Sequence, residues 1–239
     1  MPDSRTVILF FSHRPEREWE NKQFVPRDYG THQRVAEALY EHSRHAVAES
    51  ELPVLEVNGA QQRGDTFGAR LSNAVAAAFA RGYDHVIAVG SDCPRLHEVD
   101  WSAVDGRLTN GVSVLGPTPG REGAYLIGLT RDQFDREAFA ALPWQSPRLF
   151  SALRAHLAQG TEDGPVLIAS RGDVNGHTDL VALLRNSRGL PPTLLRRLRA
   201  ALGAGSSTSR TSRPPTRPHV SGRRSRAPPP PRFVSEPVR

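Results

Sequence analysis

Apolar positions along this chain fall into short, β-branched runs separated by segments with helical spacing. Thr6–Ser12 (TVILFFS) is unbroken and apolar over strand length, the pattern of a strand covered on both faces. Leu52–Val57, Val86–Val89, Val112–Leu115, Tyr125–Leu129 and Val166–Ala169 read as further strands. Between them, Thr31–Ala48 sets Val35, Ala38, Leu39, His42 and Ala46 on one face, with Thr31 as its cap. Phe67–Phe79 does the same with Leu71, Ala74, Val75, Ala78 and Phe79. Asp132–Leu142, Pro147–Gln159, a helix capped by Thr178 and running through Arg185, and Pro192–Leu202 complete the helices. Strands alternating with helices predict a three-layer α/β/α fold with a mostly parallel sheet. Residues 13–31 show no period and many charges, the mark of a long and often functional loop.

Charge divides the chain in two. The 239 residues carry a net +6, yet residues 204–239 hold eight arginines, no lysine and the single acid Glu236. That stretch is therefore +7, and residues 1–203 are near neutral at −1. A basic chain with a near-neutral domain is weak evidence for a nucleic-acid-binding fold: a nucleic-acid reading rests on the tail alone, and no specific nucleic-acid partner is expected. Residues 204–239 are rich in Ser, Thr, Pro and Arg, with too little apolar area to offset ordering entropy. They read as a disordered tail with polyproline II character, available to acidic partners, beside one domain over 1–203. One cysteine, Cys93, excludes an intrachain disulfide. The apolar run Val7–Phe11 is too short for a signal-peptide core or a membrane span, so a cytoplasmic protein without membrane contact is expected.

The most pointed chemistry lies at Val86–Pro94 (VIAVGSDCP), where a buried strand stops at Gly90-Ser91-Asp92. In open α/β sheets ligands bind beyond the carboxyl ends of the strands, which places Asp92 where a metal or phosphate would lie. Downstream, Asp173 and Asn175 alternate in Gly172-Asp-Val-Asn175, so on extended backbone they face the same way. Carboxylates of this kind, completed by substrate phosphates, suit Mg²⁺. Taken alone, Asp173–Gly176 reads slightly better as a turn before a helix. The loop Gln62–Arg70 opens a helix with Gly64 and Gly68, which suits an anion at a helix N-terminus or an ordinary capped start. It is neither a dinucleotide fingerprint nor a Walker A loop. Cys93 has no histidine tied to it by a signature and reads as a buried small residue. The nine histidines show no metal-ligand spacing, and Trp19, Trp101 and Trp144 read as core or rim.

Taken in order, these pieces resemble a known family. They are Gln62-x-Gly64-x-x-x-Gly68-x-Arg70-Leu71-x-Asn73-Ala74, Gly82-Tyr83-Asp84-x-Val86, Gly90-Ser91-Asp92-Cys93-Pro94-x-Leu96, Val114–Pro117, Tyr125–Leu129, Pro143-Trp144 and Asp173-Val174-Asn175-x-x-x-Asp179-Leu180. The combination, over residues 6–186, is similar to the GT-A-like family of uncharacterised bacterial glycosyltransferase-type proteins. Some of these are linked to arsenosugar biosynthesis, and molybdopterin and phospholactate guanylyltransferases are distant cousins. The resemblance implies a nucleotide-diphospho-sugar transferase fold, with Mg²⁺ or Mn²⁺ bridging the phosphates of a nucleotide-activated donor. By position it implies Asp92, Asp173 and Asn175 at the metal, and Gly64, Gly68 and Arg70 near the nucleotide. Arg14, Arg17 or Lys22 would neutralise phosphate, of which Arg14 and Lys22 are the main candidates. The family's Gly and Lys-Thr-Arg-Leu run in the first loop is replaced by Ser12–Lys22, its Asp-Val-Asp by Asp173-Val-Asn175, and its Asp-Gly-Gly-Tyr-Tyr-Leu by Arg121–Leu126.

The expectation is a transferase acting from a nucleotide or nucleotide-sugar donor to a small-molecule acceptor. Asp92 would be catalytic through its metal, and Glu122 would be the acceptor base. Nucleotidyl transfer and a non-catalytic nucleotide-binding module are the alternatives.

Overall fold

A computed structural model describes residues 5–13, 22–25, 28–159 and 163–207. Six strands form one sheet in the order β2-β1-β3-β5-β4-β6. They are β1 (Thr6–Ser12), β2 (Val54–Asn58), β3 (His85–Val89), β4 (Val114–Pro117), β5 (Ala124–Thr130) and β6 (Val166–Leu167). β1 pairs in parallel with β2 and β3, and β4 with β6, while β5 runs antiparallel between β3 and β4. The sheet is thus mostly parallel, with β5 alone reversed.

The helices are α1 (Tyr29–Ala48), α2 (Phe67–Ala80), α3 (Trp101–Thr109), α4 (Arg136–Ala140), α5 (Leu149–Leu157), α6 (His177–Arg185) and α7 (Pro192–Ser207). β1 is buried at every position, and its alternate residues feed two cores. Val7, Leu9 and Phe11 face α2, α4 and α5. Ile8 and Phe10 face α1 and α3. The three layers follow from this alternation. A third apolar cluster joins Phe24, Val35 and Leu39 to Val174, Leu180, Leu194 and Leu198, packing α6 and α7 on α1.

Local chemistry corrects several boundaries. Asp28, not Thr31, caps α1, its Oδ1 accepting from Thr31 N–H at 2.9 Å while Thr31 itself is buried. Thr178 does not cap α6. That helix begins one residue earlier, behind Gly176, with no side-chain cap. The expected helix over 132–142 divides into a 3₁₀ turn at Arg131–Gln133 and the short α4, because Asp135 accepts from Glu137 N–H and Ala138 N–H and restarts the helix. α3 has no counterpart among the predicted elements, although Asp100 caps it and Trp101, Val104 and Leu108 form its buried stripe. α7 continues to Ser207, four residues into the stretch expected to be disordered, and residues 208–239 lie outside the described residues, as does Trp19. Among the described residues no helix is long and apolar enough to cross a membrane.

Candidate active site

The chain leaves β1 towards β2 on one side and reaches β3 on the other, so a crevice opens beyond the carboxyl ends of β1 and β3. A cleft of about 400 Å³ lies there. Its floor is Ser12 and His13 at the end of β1, Gly90–Asp92 after β3, and Gly123–Tyr125 at the start of β5. Asp173 and Asn175 close one end, Lys22 and Gln62 reach in from the connections before α1 and α2, and Arg70 from the first turn of α2. Phe67, Trp144 and Leu149 form an apolar wall, with the Phe67 and Trp144 rings 5.5 Å apart.

Backbone and α1 side chains fix the Asp92 loop. Ser43 Oγ donates to the Ser91 carbonyl at 3.2 Å, and His42 Nε2 lies 2.8 Å from the Pro94 carbonyl. Val174 N–H donates to the Asp92 carbonyl at 2.8 Å, which ties the two acidic segments together. Asn175 N–H donates to Asp179 Oδ2 at 2.8 Å, so the first turn of α6 orders the segment that carries Asp173. At Gly90 an added Cβ would sit 2.9 Å from Asp92 Oδ1, so glycine leaves the carboxylate room to fold back over the loop.

The cleft holds two carboxylates and two cationic side chains, and they are unevenly paired. Lys22 Nζ donates to Asp92 Oδ2 at 2.8 Å, and both side chains are largely withdrawn from solvent, 15% and 28% exposed. Asp173 Oδ1 is shut off from solvent with no hydrogen-bond partner. Burial first, and then the negative charge of Asp92, push the Asp173 carboxyl well above the usual carboxylate range, with Lys22 opposing. Ser12 Oγ and Arg70 Nε are likewise enclosed and unpartnered, and Arg70 makes no ion pair among the described residues. Two enclosed oxygens and one enclosed guanidinium nitrogen thus lack partners in the same cleft.

An oxygen set of Asp92, Asp173 and Asn175 fits a hard divalent cation, and the orphaned Asp173 Oδ1 is the atom such an ion would satisfy. Among the described residues no group of three His, Cys, Asp or Glu side chains is placed to hold a metal ion, and Asp92, Asp173 and Asn175 offer two carboxylates and one amide oxygen.

Five of the sequence-predicted residues, Asp92, Asp173, Asn175, Lys22 and Arg70, line this one cleft. Gly64 and Gly68 do not. Gly68 is a packing glycine: a Cβ there would lie 2.3 Å from the Ala140 carbonyl oxygen and 2.3 Å from Trp144 Cδ1. Gly64 supplies a turn at φ +129°, a conformation that L side chains rarely adopt. Glu122 is exposed and absent from the lining, although its neighbour Gly123 belongs to it. Arg14 lies outside the described residues. Cys93 is buried as expected, and burial pushes its thiol up, away from nucleophilic use. Burial also raises the Tyr125 phenol to about 12, so it stays a donor, holding the Ala169 carbonyl at 2.9 Å.

Sequence reasoning assigns no role to His13 or to Phe67, and it notes Trp144 only as part of the Pro143-Trp144 piece and as core or rim. It also passes over one countable signal. Of the 31 basic residues, Lys22 is the only lysine. In a chain that otherwise uses arginine throughout, a compact ammonium stands at the carboxylate pair.

Comparison with known proteins agrees with this architecture. Residues 29–146 match the model of a family described as an uncharacterized protein conserved in bacteria (DUF2064). No curated protein matches the chain. A homologue, from Mycobacterium sp. strain JC1, of the Mycobacterium tuberculosis rv0371c product aligns at 13% identity over 84% of this chain and 98% of its own, with a TM-score of 0.40, too low to carry an argument. A crystal structure from Desulfovibrio desulfuricans G20, provisionally assigned as a nucleotide-diphospho-sugar transferase, aligns over 84% of this chain and 98% of its own with a TM-score of 0.61 and 22% identity. The chain thus shares the fold of that nucleotide-diphospho-sugar transferase-like protein and, over residues 29–146, is similar to the conserved bacterial DUF2064 family.

Proposed function

We propose that this protein is a divalent-cation-dependent transferase that moves a glycosyl group from a nucleoside-diphosphate donor to a small-molecule acceptor. The observation that carries the reading is the Asp92–Asp173 pair: two carboxylates, one just beyond β3 and one shortly before α6, the latter with an enclosed, unpartnered oxygen, in a cleft that also holds Lys22 and Arg70. Such a pair in a partly dry site is costly without a cation. A bound Mg²⁺ or Mn²⁺ would offset the charge of the donor diphosphate as it departs.

The chain's own residues supply the rest. Asp92, Asp173 and Asn175 would hold the ion. Lys22 and Arg70 would meet phosphate oxygens, Lys22 as a point charge and Arg70 as a fork. The wall of Phe67 and Trp144 excludes water from one side of the cleft. In the reaction the bond from the sugar anomeric carbon to the diphosphate oxygen breaks, and nucleoside diphosphate leaves with the electron pair. The acceptor oxygen bonds to that carbon and releases its proton. Glu122, exposed and outside the cleft, is assigned no part in taking that proton.

The test is product analysis with a panel of nucleotide-sugars and nucleoside triphosphates, with and without Mg²⁺ or Mn²⁺. Cation-dependent release of nucleoside diphosphate, lost in Asp92→Asn, supports glycosyl transfer. Release of pyrophosphate from a triphosphate would instead assign nucleotidyl transfer. Nucleotide binding without turnover would leave a binding module.

A further inference from the structure

The chain's only lysine is delivered to Asp92 by a short segment, residues 22–25, whose hold on the fold is unusual. Both backbone polar groups of Phe24 are taken by histidine side chains. Phe24 N–H donates to His32 Nδ1 at 3.2 Å, and the Phe24 carbonyl accepts from His177 Nδ1 at 3.0 Å. The two histidines belong to α1 and to the first position of α6, helices far apart in the sequence. The Phe24 ring is 2% exposed and stacks on the His32 ring at 5.0 Å and 23°. Gln23 adds a parallel bridge to Gly176.

The chemistry of the clasp is specific. His32 accepts at Nδ1, so it is the neutral tautomer with its proton on Nε2, an atom that is enclosed and has no partner. Among the described residues the hydrogen bond that the His32 ring makes goes to the Lys22 segment. The same apolar cluster holds Phe24, Val174 and Leu180, so the segment that bears Lys22 and the one that bears Asp173 share one support.

We infer that His32 and His177 are positioning residues that set Lys22 on Asp92, and that they act by clasping the backbone of Phe24. The inference rests on the functional reading only in giving Lys22 a purpose, since the placement itself is testable without substrate. Acylation of the ε-amine by an amine-reactive ester, read on the Lys22 peptide by mass spectrometry, reports one site, because the chain has no other lysine. The full chain is compared with His32→Leu, His32→Asn and His177→Ala, each first checked for cooperative unfolding. Asparagine places an oxygen near the Nδ1 position and restores the acceptor, whereas leucine keeps volume and removes it.

Local release of the segment predicts acylation faster by about tenfold or more in His32→Leu and in His177→Ala, with His32→Asn within about twofold of wild type. Folded His32→Leu and His177→Ala proteins that react at the wild-type rate would overturn the inference, as would His32→Asn reacting as fast as His32→Leu. His177 lies on the surface, so its variant decides the matter if His32→Leu does not fold. A wild-type protein whose Lys22 is protected but which ignores every nucleotide would overturn the transferase reading and leave the clasp standing.

Discussion

Replacing Asp173 by Asn separates stability from function at this site. The carboxylate is held where burial and the charge of Asp92 both oppose its ionisation, and its Oδ1 has no partner. A carboxyl whose folded pKa is raised stabilises the fold when protonated, and that contribution is lost as pH rises through the folded value. The wild-type protein, free of cation, therefore gives up stability as pH rises from about 4, the ordinary carboxyl value, through the raised folded value, and the variant does not. An unsatisfied buried group costs about 1–3 kcal/mol, and a charged one more. Asparagine keeps the polar atoms and removes only the charge, so about 1–2 kcal/mol should return at pH 8, roughly 3–6 °C in Tm for a chain of this size. With Mg²⁺ and a bound nucleotide the order reverses. Wild type gains about 2.7 kcal/mol at a hundredfold excess over Kd, while Asp173→Asn gains little. Differential scanning fluorimetry at pH 5 and pH 8, with and without ligand, reads all four states. A variant that is less stable than wild type at pH 8 without ligand, or that keeps the full ligand response, would refute the reasoning.

Three further outcomes follow from the same structure. Lys22→Met leaves Asp92 and Asp173 facing each other without their cation, and should lower stability at pH 8 by about 1–3 kcal/mol in denaturant titration; the loss should shrink when Asp173→Asn is added. Gly68→Ala drives a methyl group into the Ala140 carbonyl and the Trp144 ring, and should cost about 1–3 kcal/mol and change the tryptophan emission of the folded protein. Burial lowers the pKa values of His32, His42, His85 and His156, each of which must charge on unfolding in acid. Their contribution is complete above the unfolded value of about 6.5 and is lost as pH falls below it. Tm, measured in Asp173→Asn to remove the opposing carboxyl, should therefore fall between pH 7.5 and pH 5, and a flat profile would contradict it.

Where a segment is buried on both faces, its identity is written in its own residues. β1 is bounded to the residue by its unbroken apolar run, and Asp92 lies at a strand end because VIAV is followed at once by Gly-Ser-Asp. The alternation of Asp173 and Asn175 predicts a shared face, and both residues line the cleft. What is not legible depends on partners distant in sequence. Lys22 sits in a stretch without period, and distant residues such as His32, His177 and Asp92 give it a place. Gly68 resembles a ligand-approach glycine, yet its constraint comes from Trp144, many residues downstream. Thr31 and Thr178 have the right chemistry for caps. The start of α1 is set instead by Asp28, and α6 begins directly after Gly176, where the chain pairs with Gln23. α3 was open to sequence reasoning, since Asp100, Trp101, Val104 and Leu108 form a capped apolar stripe.

The most direct test of the central claim is thermal unfolding of the full chain against nucleoside diphosphates and nucleotide-sugars, each with and without Mg²⁺, beside Asp92→Asn. The account predicts stabilisation by at least one nucleotide that requires Mg²⁺ in the wild type and is absent from the variant. Nucleotide stabilisation of equal size without the cation, or in Asp92→Asn, would contradict it.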